Sequence, residues 1–170
     1  SVDSFGRYKA LHYAAKKFYA PVAMGLFLEN GKLMVNVSNE TRKDFRGKVQ
    51  LKLCSRDFTV LDSREVQIAV EALTAEDVLR YRVPDTDIYS TYLAAELFDE
   101  NGAFLMRQVE LLAPPKHFDW LRPRIVAEFA DVEGGVEISV SSDVFTKGVF
   151  LDFRDFDCVL SDNFFSLTGP

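Results

Sequence analysis

Cysteine, histidine and tryptophan are scarce in this chain of 170 residues, which holds two, two and one of them. Cys54 and Cys158 are too few for a disulfide framework or a zinc site, and both read as buried thiols. Long apolar runs are absent as well: nothing approaches the roughly 18 to 20 residues that span a bilayer, so no transmembrane helix is expected and no membrane partner. Basic charge is not in surplus either. Twenty Lys and Arg stand against 26 Asp and Glu, for a net charge of −6 with 27% charged residues. That profile excludes both a disordered polyelectrolyte and a nucleic-acid binder. Residues 1–17 lack the basic and apolar regions of a secretory leader, and the first residue is Ser1 rather than Met, which points to a processed or excised chain. No internal repeat or low-complexity tract occurs. There is no G-x-x-x-x-G-K-[ST], G-x-G-x-x-G or G-x-S-x-G, and no cofactor is expected. What is present is core material. The chain is 48% hydrophobic and 13% aromatic with 15 phenylalanines, enough to bury about 70% of the unfolded surface in one domain or two small ones.

The first twenty residues have a helical period. Tyr8, Leu11, Ala15, Phe18 and Tyr19 recur on one stripe of a helix spanning 7–19, with Lys9, Lys16 and Lys17 mostly off it. Asp3 or Ser4 is the expected N-cap, and Pro21 the stop. From Val22 onward the period is two. Leu33, Val35 and Val37 alternate with polar residues, as do Val49, Leu51 and Leu53, then Val66, Ile68 and Val70. Asn30-Gly31 and Asn101-Gly102 each separate two such runs and predict two-residue type I′ hairpins. Residues 21–112 then hold six or seven strands, an immunoglobulin-like sandwich, with 74–79 taken as a connection between strands. Ala113-Pro114-Pro115-Lys116 cannot continue a ladder, so 113–123 is a linker. About four more strands follow in 124–170, too few for a closed sandwich. The fold class is all-β: immunoglobulin-like modules preceded by one N-terminal helix, residues 1–20.

Candidate chemistry is thin. Glycosidases need two carboxyls about 5 to 9.5 Å apart in a cleft. The pairs Asp99-Glu100, Glu76-Asp77 and Asp131 with Glu133 all fall beside turns or between strands, where solvated carboxylates are normal. Asp152, Asp155 and Asp157, with Asp162 and Asn163, are dense enough to suggest a calcium site, but they lack the glycine and distal glutamate of the calcium loop; Asx turns explain them as well. His12 and His117 have no recognisable nucleophile or carboxylate partner. Asn36-Val37-Ser38 and Asn39-Glu40-Thr41 are two glycosylation sequons. Trp120, Tyr89 and Tyr92 could stack on sugar rings as a carbohydrate platform. Trp120, next to a linker, is more often a wedge between domains, and Phe150, Phe153, Phe164 and Phe165 are expected to fill a sandwich interior, so the platform is the minority reading.

Two segments are familiar. Ser1-Val2-Asp3-Ser4-Phe5-Gly6-Arg7-Tyr8-Lys9-Ala10-Leu11-His12-Tyr13, followed by Phe18-Tyr19-Ala20-Pro21, resembles S-x-D-x-x-G-R-x-K-A-L-H-Y and F-x-A-P of the β-mannosidases of glycoside hydrolase family 2. Ser161-Asp162-Asn163-Phe164-Phe165-Ser166-Leu167 resembles the S-D-N-F-F-x-L motif near the end of the same enzymes. The resemblance implies that residues 1–20 are the last helix of a catalytic (β/α) barrel, with two immunoglobulin-like modules after it. The second, 124–170, would be incomplete, since family members continue further. It also implies a parent that removes terminal β-mannose with retention, using two glutamates that lie upstream of Ser1; no residue here matches either. The expected partner is that barrel, packed on Tyr8, Leu11, Ala15 and Phe18. Without it the stripe would fold back on the sandwich, pair with another copy or fray. Exo-glucosaminidases of the same family share this tail, and an oligosaccharide ligand for the sandwich is the other expectation.

Overall fold

The computed structural model describes residues 2, 4, 7–153 and 158–169. One α-helix, α1 (Ala10–Phe18), leads into β1 (Val22–Glu29), β2 (Lys32–Asn39), β3 (Phe45–Ser55), β4 (Val60–Val70), β5 (Thr74–Arg82), β6 (Thr91–Asp99) and β7 (Phe104–Leu111). After a 3-10 turn at Pro115–His117 come β8 (Ile125–Val132), β9 (Gly135–Ser142), β10 (Thr146–Val149) and β11 (Phe165–Leu167). The protein is all-β with a single leading helix, as the change of period in the sequence requires.

The seven strands β1–β7 form two facing sheets of order β1-β2-β5 and β4-β3-β6-β7. Alternation decides the core. Leu33, Val35 and Val37 of β2 face Val49, Leu51 and Leu53 of β3 and Leu93, Ala95 and Leu97 of β6, all fully buried. Burying a side chain of this size contributes about 1.5 to 3 kcal/mol each, so this sandwich carries the molecule's stability.

Residues 74–79 are not a connection. They are the first two-thirds of β5, which pairs with β2 from Asn39↔Thr74 to Lys32↔Arg82. A bulge opposite Val35 and Asn36 shifts the register, and exposed Glu76 and Asp77 hide the alternation. The Asn30-Gly31 turn has both residues at positive φ, 50° and 70°, as type I′ demands. Asn101-Gly102 makes a hairpin of a different kind. Only Gly102 has positive φ, and its N–H donates to the Asp99 carbonyl at 3.0 Å, while Asp99 Oδ1 accepts from the N–H groups of Asn101 and Ala103. The aspartate side chain organises a longer loop in place of the two-residue one.

Beyond the linker the strands of the described residues pair as two two-stranded sheets, the hairpin β8-β9 and the more distant pair β10-β11. Phe150 is exposed and Phe153, Phe164 and Phe165 are half-buried, so none of the four fills a sandwich interior. Phe150 and Phe164 stack on each other instead, with centroids 4.7 Å apart. Cys54 is buried, but Cys158 is exposed and is no core thiol. No helix among the described residues is long and apolar enough to cross a membrane.

Candidate functional site

Helix α1 is turned in a way its stripe does not announce. Leu11 and Phe18 are 64% and 68% exposed, Tyr19 is exposed too, Tyr8 lies at the edge of exposure and Ala15 is half-buried. The buried residue is Tyr13, off the stripe, whose ring lies 6.1 Å from that of Phe164. Burial pushes the Tyr13 hydroxyl up from its ordinary pKa. The lysines hold this inner side. Lys17 Nζ pairs with Asp162 Oδ2 at 3.0 Å, and Lys16 Nζ donates to the Ser161 carbonyl at 3.0 Å. The helix begins later than its period implies, at Ala10, and its N-cap position is Lys9 with no side-chain cap. Ser4 is therefore not the cap, and Asp3 lies outside the described residues. Between α1 and β7 runs an open groove of about 880 Å³, with Leu11 and Phe18 on one wall and Phe104 and Leu105 on the other. Four large apolar side chains thus line one concave, uncovered surface. The stripe has not folded back to close it.

The S-D-N-F-F segment is what anchors the helix. Asp162 meets Lys17, and the next residue, Asn163, is buried. Its Oδ1 accepts from the N–H groups of Leu151 and Phe164, both at 2.9 Å, and its Nδ2 donates to the Leu151 carbonyl. Asn163 thus imitates a strand partner for Leu151, and Phe164, at φ 57°, turns its ring toward Phe150 and Tyr13. In the first module Asn39 has the same use. It is fully buried, its Nδ2 lies 2.8–3.1 Å from the carbonyls of Lys43, Val70 and Glu71, and its Oδ1 accepts from Thr41 N–H and Oγ1. The sequon Asn39-Glu40-Thr41 is therefore a strand-end clamp, with no amide left to glycosylate. Asn36 lies within β2, its Nδ2 donating to Asp77 Oδ1. The sequence offers Asx turns around Asn163 and a sequon at Asn39, and neither pattern shows that these side chains are buried.

The three aromatics proposed as a platform part company. Tyr92 is 0% exposed: it stacks on buried Phe145 with centroids 3.8 Å apart, and its hydroxyl donates to the Thr168 carbonyl at 3.3 Å. It offers no face to a sugar, because β6 points it into the junction between modules. Desolvation raises its pKa far above the ordinary tyrosine value. Trp120 stacks on the same Phe145 at 5.9 Å, touches Phe118 at 4.5 Å, and donates its indole N–H to the Pro115 carbonyl. That is the wedge role, with part of the ring exposed. Tyr89 is exposed beside it, its carbonyl accepting from Asp119 N–H. Arg56 completes this junction: its guanidinium pairs with Asp119, and its carbonyl accepts from Phe145 N–H at 2.8 Å. Phe145, which the sequence did not single out, is the centre of the interface.

The remaining candidates stay dispersed. Of the proposed calcium ligands, Asp152 is exposed and Asp155 and Asp157 lie outside the described residues; no group of three metal-ligating side chains occurs among the described residues. Asp99 and Asp77 are engaged by their own turn and ladder. His12 stacks on Tyr8 at 3.8 Å. Glu110, on β7, is the carboxyl among the described residues whose pKa is raised, by burial, with Lys147 opposing. Among the described residues no carboxyl acts on it, whereas glycoside hydrolysis needs a second one nearby.

Comparisons with known proteins agree with this geometry. The family model described as a mannosidase Ig/CBM-like domain matches residues 31–117, and a second, described as an Ig-fold domain, matches 120–169. No curated protein matches the sequence. Among solved structures, the β-D-mannosidase from Dictyoglomus thermophilum superposes with a TM-score of 0.86 at 20% identity, over 98% of this chain and 20% of that one. The exo-chitosanase of Amycolatopsis orientalis gives 0.71 at 18% identity, over 98% of this chain and 24% of that one. The chain spans between a fifth and a quarter of the length of these enzymes. With the first model covering half of its residues and the second most of the remainder, the chain belongs to the mannosidase Ig/CBM-like domain family, followed by an Ig-fold domain.

Proposed function

We propose that this chain is the non-catalytic accessory region of a β-mannosidase-like glycoside hydrolase, and that the outer stripe of α1 seats the enzyme's catalytic barrel. One observation carries this reading. Leu11 and Phe18 stay uncovered on a helix whose other side is firmly held, opposite an equally uncovered Phe104 and Leu105. A helix in water buries its apolar stripe; one that instead buries Tyr13 and turns the stripe outward has a partner for the stripe elsewhere. The solved relatives, in which this fold forms about a fifth of a much longer hydrolase, supply the kind of partner. The parent would hydrolyse terminal β-mannose with retention, its two catalytic carboxyls residing on the barrel. The Arg56 and Phe145 junction would hold the two modules as one rigid prop.

The test uses the pair Leu11→Asp and Phe18→Asp. In the parent enzyme the double variant is expected to lower the melting temperature and the hydrolysis of 4-nitrophenyl β-mannoside together. In the isolated 170-residue chain it should leave the melting temperature unchanged, since both side chains are already solvated. An unaffected parent would defeat the barrel-seat reading, and a monomer-to-dimer equilibrium abolished by the variant would assign the stripe to self-association. The exo-chitosanase likeness favours one second reading, a parent acting on β-glucosamine. Comparing 4-nitrophenyl β-glucosaminide with the mannoside on the same enzyme decides between them.

A further inference from the structure

The outer face of the β1-β2-β5 sheet holds a feature that neither the barrel seat nor the junction uses. Three rungs of the ladder lie side by side there: Glu29, Lys32 and Arg82; Phe27, Met34 and Arg80; Gly25, Asn36 and Asp77. The bulge in β5 returns Asp77 to the same face as Arg80. Phe27 is 57% exposed, although β1 belongs to the best-packed part of the molecule. Its ring lies along the sheet over Gly25. A Cβ at position 25 would stand 3.2 Å from Phe27 Cε2 and 3.4 Å from its Cζ, so the missing side chain leaves room for the ring. Phe27 lines an open cavity of about 540 Å³ together with Lys32, Met34, Arg80 and Arg82, within the size range of small-ligand sites.

Polar groups flank the ring in a fixed pattern. On one side Asp77 accepts from Asn36 Nδ2 at 3.0 Å and pairs with Arg80 Nη2 at 3.4 Å. On the other, Lys32 and Arg82 stand next to each other across the ladder beside Glu29, and among the described residues neither base forms an ion pair. On a chain of net charge −6 this face therefore has a local surplus of positive charge. A flat, bare aromatic ring binds the C–H face of a pyranose, and an unpaired guanidinium next to it binds a carboxylate through two parallel hydrogen bonds.

We propose that this face binds a uronic acid residue of an acidic glycan. The sugar ring stacks on Phe27, the carboxylate meets Arg82 and Lys32, and the hydroxyls reach Asn36, Asp77 and Arg80. The site is independent of the barrel, so it is tested on the 170-residue chain alone, and its failure leaves the accessory role untouched. An amide-detected NMR titration with tetramannuronate at low salt is expected to give saturable shifts centred on Gly25, Phe27, Met34 and Arg82. Phe27→Ala should weaken binding roughly tenfold and Arg82→Gln about fivefold, while neutral mannotetraose binds at least about fivefold more weakly than the acid. Both side chains are exposed, so neither variant threatens the fold; unchanged melting temperatures confirm this. Raising the salt to 0.5 M should weaken the acidic ligand and leave the neutral one unaffected. Absence of saturable shifts overturns the proposal, as do shifts centred elsewhere, equal binding of the neutral sugar, or equal binding of hexaglutamate at the same residues.

Discussion

The two β regions of this chain start from the same sequence signal and end differently. In β2, β3 and β6 every second residue is apolar, and those residues are sealed between two sheets. In β9 the alternation is as regular, and across the hairpin Ile125, Ala127 and Phe129 of β8 share a face with Val136, Ile138 and Val140. Yet Ile125, Phe129 and Val136 are exposed, since the hairpin pairs with no further strand among the described residues. Period two identifies which side chains share a face. Whether that face acquires a lid depends on another sheet arriving, and a two-stranded hairpin is marginal without one. The second module thus depends on the first, through Phe145, Tyr92, Trp120 and Arg56, to a degree that the first does not reciprocate.

That asymmetry breaks most sharply at Phe145. Phe145→Ala removes the ring stacked on Tyr92 and is expected to cost about 4 kcal/mol, a typical loss for a buried phenylalanine. Calorimetry should then show two transitions, with the second module melting first; a single unshifted transition would mean that the modules are independent. Next in size is Asn39→Ala, expected to cost about 2 to 3 kcal/mol because it removes a buried amide that donates toward the carbonyls of Val70 and Glu71 and accepts from Thr41. Asn163→Ala should lower stability less, and its loss should appear in hydrogen exchange of Leu151 and of α1 and not in β2 or β3.

A pH dependence belongs to the first module. The Tyr81 hydroxyl donates to Asp62 Oδ2 at 2.9 Å. That bond, ahead of Ser63 N–H and Arg64, holds the Asp62 carboxyl below its ordinary pKa, while burial and then Asp62 push Tyr81 up to about 12. A depressed carboxyl adds stability above its unfolded pKa, about 3.9, and loses it as the pH falls through the folded value. A raised tyrosine adds stability below about pH 10 and loses it between there and about 12. Tyr81→Phe should therefore flatten both limbs of the stability profile, as followed by urea titration from pH 2 to 12, with the largest deficit near neutrality. The smallest effect is expected at Phe129→Ser, within about 0.5 kcal/mol in the 170-residue chain because the ring is already solvated. A loss of 2 kcal/mol there would show that the hairpin face is covered in solution and erase the contrast with the sandwich.

Much of this architecture could be read locally. The shift of period at Val22 separates helix from sheet, Asn30-Gly31 sets the first hairpin, and Ala113-Pro114-Pro115 ends the first ladder. The two terminal segments point to the family that the domain matches support. These succeed because helix pitch, strand pleat and turn dihedrals are properties of a few neighbouring residues. The readings that failed needed distant partners. β5 was lost behind Glu76 and Asp77 because its core side, Leu79 and Tyr81, is defined only by pairing with β2. Tyr92 was offered to solvent, but Phe145, 53 positions later, closes over it. Asn39 reads as a glycosylation sequon and Asn163 as part of an Asx-turn cluster; each is buried against carbonyls brought from other strands or loops. The sequence by itself determined which residues share a helix side or a sheet face. Tertiary structure alone decided which side is inward: α1 buries Tyr13 and leaves Leu11 and Phe18 out, because the segment that meets it carries Asp162 and Phe164 and therefore selects its lysine and tyrosine side.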